Sequence, residues 1–230
     1  MNENELVESQ ESDISIWNSI ITKISPNVDE IIKQAESFVE ENEGRSVDCI
    51  ASDYADIIVR EYTAVGAASA LPSIIPGLGT AAQLAVEAGA ISADLLLMIK
   101  FMSKMVYGLS VIYNKPRQSI TIESTIMVLG VWCGVLSPMK EAAARVASKV
   151  IINVFNRKVP GEIFKKINRK VGVTILTKYG TKRGGVAVGK LIPFGVGALV
   201  GGGFNYATMK GFKKAAIKAL SPKDYVFVEV

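Results

Sequence analysis

Residues 71–80 read LPSIIPGLGT and lie inside a charge-free run of 25 residues, 62–86, between Glu61 and Glu87. A helix of about 20 apolar residues crosses a bilayer, so length alone permits a span. The interior of the run argues against a straight one. Pro72 and Pro76 each lack an amide donor and restrict the residue before them. Gly77 and Gly79 permit a tight reversal. The run therefore divides into two arms, each too short to cross. Backbone at such a break cannot face lipid unless protein or water satisfies its polar groups. Two readings remain: a buried helix–helix corner, or a shallow re-entrant hairpin.

Elsewhere apolar residues recur every three or four positions, the spacing of amphipathic helices. Ser12 or Asp13 can cap a short helix bearing Ile14, Trp17, Ile20, Ile21 and Ile24, ended by Pro26. A second runs from Asn27, with Val28, Ile31, Ile32, Ala35 and Phe38 inward and Gly44 as its stop. Ser46 or Asp48 opens a third, carrying Ile50, Tyr54, Ile57, Ile58, Tyr62 and Val65 towards Ala70. A long helix is predicted from Thr80 to Tyr113, with a turn at 114–117 and another apolar helix over 120–136. Pro138 and Pro160 open two more, and the last follows Pro193. The ending YVFVEV reads as a short strand or an extended tail, with no convincing strand ladder elsewhere. The expected fold is all-α: a compact bundle of about seven to nine helices. It has a proline- and glycine-broken apolar corner and a glycine-rich C-terminal helix. The expected domains are an acidic, partly disordered arm with short helices over 1–45, a helical domain over 46–220 and a tail over 221–230.

The net charge of +4 hides a split. Residues 1–61 hold 15 acids and 4 bases, whereas 62–230 hold 7 acids and 22 bases. Such asymmetry points to an acidic arm and a basic surface. The clearest block is 140–190, with 13 Lys or Arg against Glu141 and Glu162. Within it Lys165, Lys166, Arg169 and Lys170 cluster over two turns, interleaved with Ile163, Phe164 and Ile167. Bases beside apolar residues suit an anionic membrane surface. Lys158, Lys182 and Arg183 join these four as candidate membrane-binding residues. An ordinary solvated face would carry the same charges. Nucleic-acid binding would also use them, but no reading motif accompanies the block and none is expected.

Gly185, Gly189, Gly197 and Gly201 fall at four-residue intervals, with Pro193 in the missing slot and Asn205 continuing the row. A small-xxx-small stripe lets another helix approach closely. Residues 191–209 are uncharged, but five of these 19 are glycine. That favours a packed helix over a span. Glu87 and Asp94, seven apart, share a helical face as candidate buried carboxylates, read first as structural partners of a base or a loop.

The chain has no histidine, which removes the commonest general base, the Ser-His and Cys-His pairs and most catalytic zinc sites. Cys49 and Cys133 are far apart and read as small buried hydrophobes in a reducing compartment. GLGTAA lacks the Lys-Ser or Lys-Thr of a phosphate loop, and GVGALVGGG follows no strand. No catalytic, cofactor or metal residues are assigned. The opening MNENELVESQESD has neither the basic nor the apolar region of a secretory signal.

Three stretches together carry a resemblance. LPSIIPGLGT feeds AAQLAVEAGAISADLLLMIKFMSKMVYGL, with an early acid, a later Asp and a Tyr-Gly near its end. Later, VGKLIPFGVGALVGGGFNYATMKGFKKAA supplies Ile-Pro, a glycine cluster, Asn-Tyr and a basic amphipathic finish. This order resembles the EcsC family of bacterial helical proteins over about residues 50–220. The resemblance implies a membrane-associated helical module, mostly cytoplasmic, and offers no catalytic residues to transfer. The expectation is a non-enzymatic adaptor, cytoplasmic and peripheral to the inner face of the membrane, without a cofactor. It would bind an anionic membrane surface, a membrane protein or a helical partner, and could oligomerise. The alternative is a membrane-inserting, toxin-like effector or its neutralising partner. A lipid hydrolase would be limited to Ser-Lys or carboxylate chemistry.

Overall fold

The computed structural model describes residues 27–68, 93–140, 151–152, 161–175, 196–221 and 225–229. They form six α-helices: α1 (Val28–Glu41), α2 (Val47–Ala68), α3 (Ala93–Ile112), α4 (Ile122–Trp132), α5 (Gly161–Ile175) and α6 (Val196–Leu220). The fold is all-α in its core. The expected seven to nine helices included segments 12–25 and 80–92, which lie outside the described residues, as does the stretch 71–80.

Local signals set several helix ends. The Asn27 side chain accepts from the Glu30 amide at 3.3 Å, and Ser46 Oγ accepts from the Cys49 amide at 3.3 Å. Each satisfies one of the orphan donors of a first turn. After α1, Gly44 adopts φ +85°, as its place at the predicted stop requires. Both α3 and α4 end in paired six-to-one and five-to-two hydrogen bonds. Lys115 N reaches Ser110 O at 2.8 Å and Asn114 N reaches Val111 O at 2.8 Å, with Asn114 at φ 51°. Val135 N reaches Gly130 O at 2.8 Å and Gly134 N reaches Val131 O at 3.2 Å, with Gly134 at φ +76°. These are Schellman ends. The second stops α4 at Trp132, four residues before the predicted boundary.

The core is built around α3, whose Leu95, Leu96, Ile99, Met102, Met105 and Leu109 are each at most 1% exposed. A helix apolar on nearly every face belongs at the centre of a bundle. It packs against α1, α2, α4 and α6. The α2–α3 pair is antiparallel. Tyr113 donates to Asp48 at 3.1 Å, Tyr54 lies on Gly108, and Lys104 pairs with Glu61 at 2.7 Å. The Phe101 and Tyr62 ring centroids are 5.6 Å apart. Helix α1 adds Ile31, Ile32 and Ala35 to the same core, and Phe38 meets Tyr54 edge-on at 5.5 Å. The segment 28–41 of the acidic arm is therefore packed on the domain.

The helix expected from Pro138 is corrected at both of its described pieces. Leu136–Lys140 is a strand, β1, and Ile151–Ile152 is a second, β2. Both pair antiparallel with a third, β3 (Tyr225–Glu229), in the order β1-β3-β2. After the Schellman end of α4 the chain passes within a few residues into β1. Pro138, opposite Phe227 on the edge strand β1, sits where a missing amide is tolerated. Cys49 is also corrected: it is exposed, on the solvent side of the first turn of α2, and Cys133 is half-buried.

Candidate functional site

Helix α5 carries the strongest of the predicted charge clusters. At about 100° per residue, Lys165, Lys166, Arg169 and Lys170 span about 140° of its circumference, and all four are exposed. Ile167, Val171 and Ile175 lie on the other side and are each at most 1% exposed. Their neighbour is α4. The contact closes at Gly130, where an added Cβ would stand 2.9 Å from Leu136 Cδ1 and 3.6 Å from Val171 Cγ2. This seating fixes α5 in rotation, so its cationic face is held outward. Glu162 is the one acid in the α5 sequence. Lys158, Lys182 and Arg183 lie outside the described residues.

The glycine row is described in part. Gly197 and Gly201 are helical, within α6, and Gly185 and Gly189 lie outside the described residues. Asn205 is buried, at 8% exposure, and its Oδ1 accepts from the Tyr62 hydroxyl at 3.4 Å, a long bond. The row thus points its polar member at α2. Glu87 lies outside the described residues, and Asp94 is helical, its side chain undescribed.

Spacing alone did not single out the lysines of α6. Lys213 is drawn into the α2–α6 seam, 2.7 Å from Asp56 and 2.9 Å from Ser52 Oγ, with its side chain 14% exposed. Lys210, Lys214 and Lys218 are exposed. Lys210 Nζ is 3.2 Å from the Tyr206 hydroxyl and 5.2 Å from that ring's centroid. The signal was present as KGFKKAAIK, but only the fold separates the paired lysine from its neighbours.

Burial pushes the Tyr54 phenol up, with the nearby Glu61 charge adding to it. Burial also raises Tyr113, helped by its hydrogen bond to Asp48 and that carboxylate's charge. Desolvation lowers Lys115. Each phenol packs between helices, Tyr54 against Gly108 and Phe38 and Tyr113 against Asp48. Among the described residues no three His, Cys, Asp or Glu side chains gather to hold a metal ion. A shallow depression of about 380 Å³ lies along α1 between Glu30 and Glu41. One helix supplies its whole lining, so it lacks the convergent groups of a ligand site.

No family model, curated protein or solved structure matches the chain.

Proposed function

We propose that this protein is a non-enzymatic, membrane-associated helical adaptor that meets anionic lipid through the cationic face of α5. The supporting observation is the fixed polarity of that helix. Ile167, Val171 and Ile175 are buried on one side, while Lys165, Lys166, Arg169 and Lys170 face solvent on the other. A base held close to an anionic surface contributes about 1 kcal/mol. Four together give binding that salt weakens. The resemblance to the EcsC family belongs to the same proposal and adds a membrane-protein or helical partner. The seven-to-nine-helix bundle is proposed with it.

Sedimentation with phosphatidylglycerol vesicles tests this reading. Binding should fall steeply with ionic strength, and replacing Lys165, Lys166, Arg169 and Lys170 by Glu should abolish it. Salt-independent binding, or binding unchanged in that variant, refutes it.

A second reading, a membrane-inserting effector, is favoured by one observation. The stretch 95–112 in α3 is long and apolar enough to cross a bilayer. However, 78% of it is buried among other helices, as in the core helix of a folded domain. Dye release separates the two: an adaptor binds vesicles without leakage, and an effector releases their contents.

A further inference from the structure

We propose that the outer stripe of α6, formed by Tyr206, Lys210, Lys214 and Lys218, is a second contact surface for an anionic lipid layer. This rests on the membrane-surface reading but uses a different helix. The four residues stand at four-residue intervals. Each step rises about 6 Å and drifts about 40°, so the row runs about 18 Å along the helix. The opposite side of α6 is fixed: Met209, Phe212, Ala216 and Leu220 are fully buried, and α2, α3 and α4 pack on this helix. The stripe cannot turn inward without breaking the core.

Charge bookkeeping singles out the row. The α6 sequence holds four lysines and no acid. Lys213 is neutralised by Asp56 at 2.7 Å. Among the described residues no carboxylate pairs with Lys210, Lys214 or Lys218, and the one polar side-chain contact there is that of Lys210 with the Tyr206 hydroxyl. Like charges four apart on a helix repel, so the isolated protein bears a cost that an anionic layer would relieve. Tyr206, 43% exposed, is one of two large apolar side chains exposed among the described residues. A tyrosine with an apolar ring and a wet hydroxyl suits the headgroup level of a bilayer. Lysines on long stems are point charges that follow mobile headgroups. The aromatic at the end of the row favours a lipid surface over a nucleic-acid backbone.

The test uses the full chain and vesicles of equal parts phosphatidylglycerol and phosphatidylcholine. Lys214→Gln with Lys218→Gln should weaken binding about 25-fold, from about fivefold per charge. Lys33→Gln on α1, also an exposed lysine, should have little effect. In a Trp17→Phe, Trp132→Phe background, Tyr206→Trp should shift its emission to the blue with these vesicles and not with pure phosphatidylcholine. Circular dichroism establishes that each variant is folded, and the glutamine pair tests the idea without the tryptophan changes. If the unmodified chain binds while the glutamine pair behaves like Lys33→Gln, or the emission of the Tyr206→Trp variant stays fixed, the stripe is not a lipid contact and the α5 reading stands. If the unmodified chain does not bind, both readings fall. Tighter binding to duplex DNA through the same lysines, at the same salt, overturns the lipid assignment.

Discussion

Substituting Gly108 tests the α2–α3 packing. The residue is buried in the interior of α3, and a Cβ built there collides with Tyr54 Cε1, Cζ and the phenol oxygen. Helix propensity alone favours Gly108→Ala by about 1 kcal/mol. Against this stands a rigid ring, 5% exposed and wedged between Gly108 and Phe38. Overpacking a filled core costs about 1–3 kcal/mol. The ring cannot swing clear as a flexible chain end would, so the upper part of that range applies. The net expectation is a loss of about 1–2 kcal/mol, or a fall of about 2–8 °C in Tm for a chain of this size. Tyr54→Leu, although destabilising itself, removes the colliding atoms. In that background Gly108→Ala should become stabilising by up to about 1 kcal/mol, a coupling of about 2–3 kcal/mol. Urea unfolding followed by circular dichroism at 222 nm reads all four corners of the cycle. If Gly108→Ala is equally harmful with and without the ring, Tyr54 does not occupy the space assigned to it.

Two other glycines should respond with opposite signs. Gly134→Ala meets no atom within 4 Å but imposes φ +76° on a side chain, costing about 1–2 kcal/mol. Gly203→Ala, in open space on α6, should gain about 1 kcal/mol; thermal melts check both. Asp56→Asn leaves the mostly buried Lys213 facing Ser52 alone and should cost about 1 kcal/mol or more. Asp29→Asn breaks an ion pair whose side chains are 69% and 81% exposed, and should cost less than about 0.5 kcal/mol in the same denaturation assay. The fold holds Tyr113 as a neutral phenol, with its pKa above the unfolded value of about 10. The stability this provides is complete below pH 10 and is lost as pH rises beyond it. Urea midpoints should fall above pH 10, less steeply in Tyr113→Phe.

Local chemistry made much of this fold legible. Asn27 and Ser46 sit one residue before their helices, and the apolar residues of α1 and α2 keep helical spacing into the core. Helices α5 and α6 lie on the C-terminal side of Pro160 and Pro193, where proline's intolerance of helix interiors leads the sequence to expect them. Of the sheet only β3 was legible, in YVFVEV; β1 was not, because it acquires its strand character from a partner about 90 residues away. Nothing within LSPMK alternates cleanly, and the alanine-rich sequence after it favours helix locally. The candidate site divides in the same way. The four bases of α5 form a local pattern that the structure leaves on one exposed face. The different environments of Lys213 and Lys214 depend on Asp56 and Ser52, which α2 brings across from about 160 residues earlier.

The question posed by the charge-free run also applies to α3, where packing sharpens it. A helix apolar on all sides suits a bilayer or the middle of a bundle, and composition does not separate the two. Neighbours do. Leu95, Leu96, Leu97, Met98, Ile99, Met102, Met105, Val106 and Leu109 are all at most 3% exposed. At about 1.5–3 kcal/mol for each side chain, their burial represents about 15–25 kcal/mol, more than the 5–15 kcal/mol by which domains are usually stable. Lipid could return that sum to α3 if it inserted. It could not return it to α1, α2, α4 and α6, whose apolar faces would open to water at the same moment. Lys104 would also leave Glu61 and enter hydrocarbon without its partner, a further cost. Insertion of α3 alone is therefore unfavourable on two separate grounds, whereas contact through α5 leaves every core residue in place. This asymmetry makes surface binding without leakage the expected behaviour.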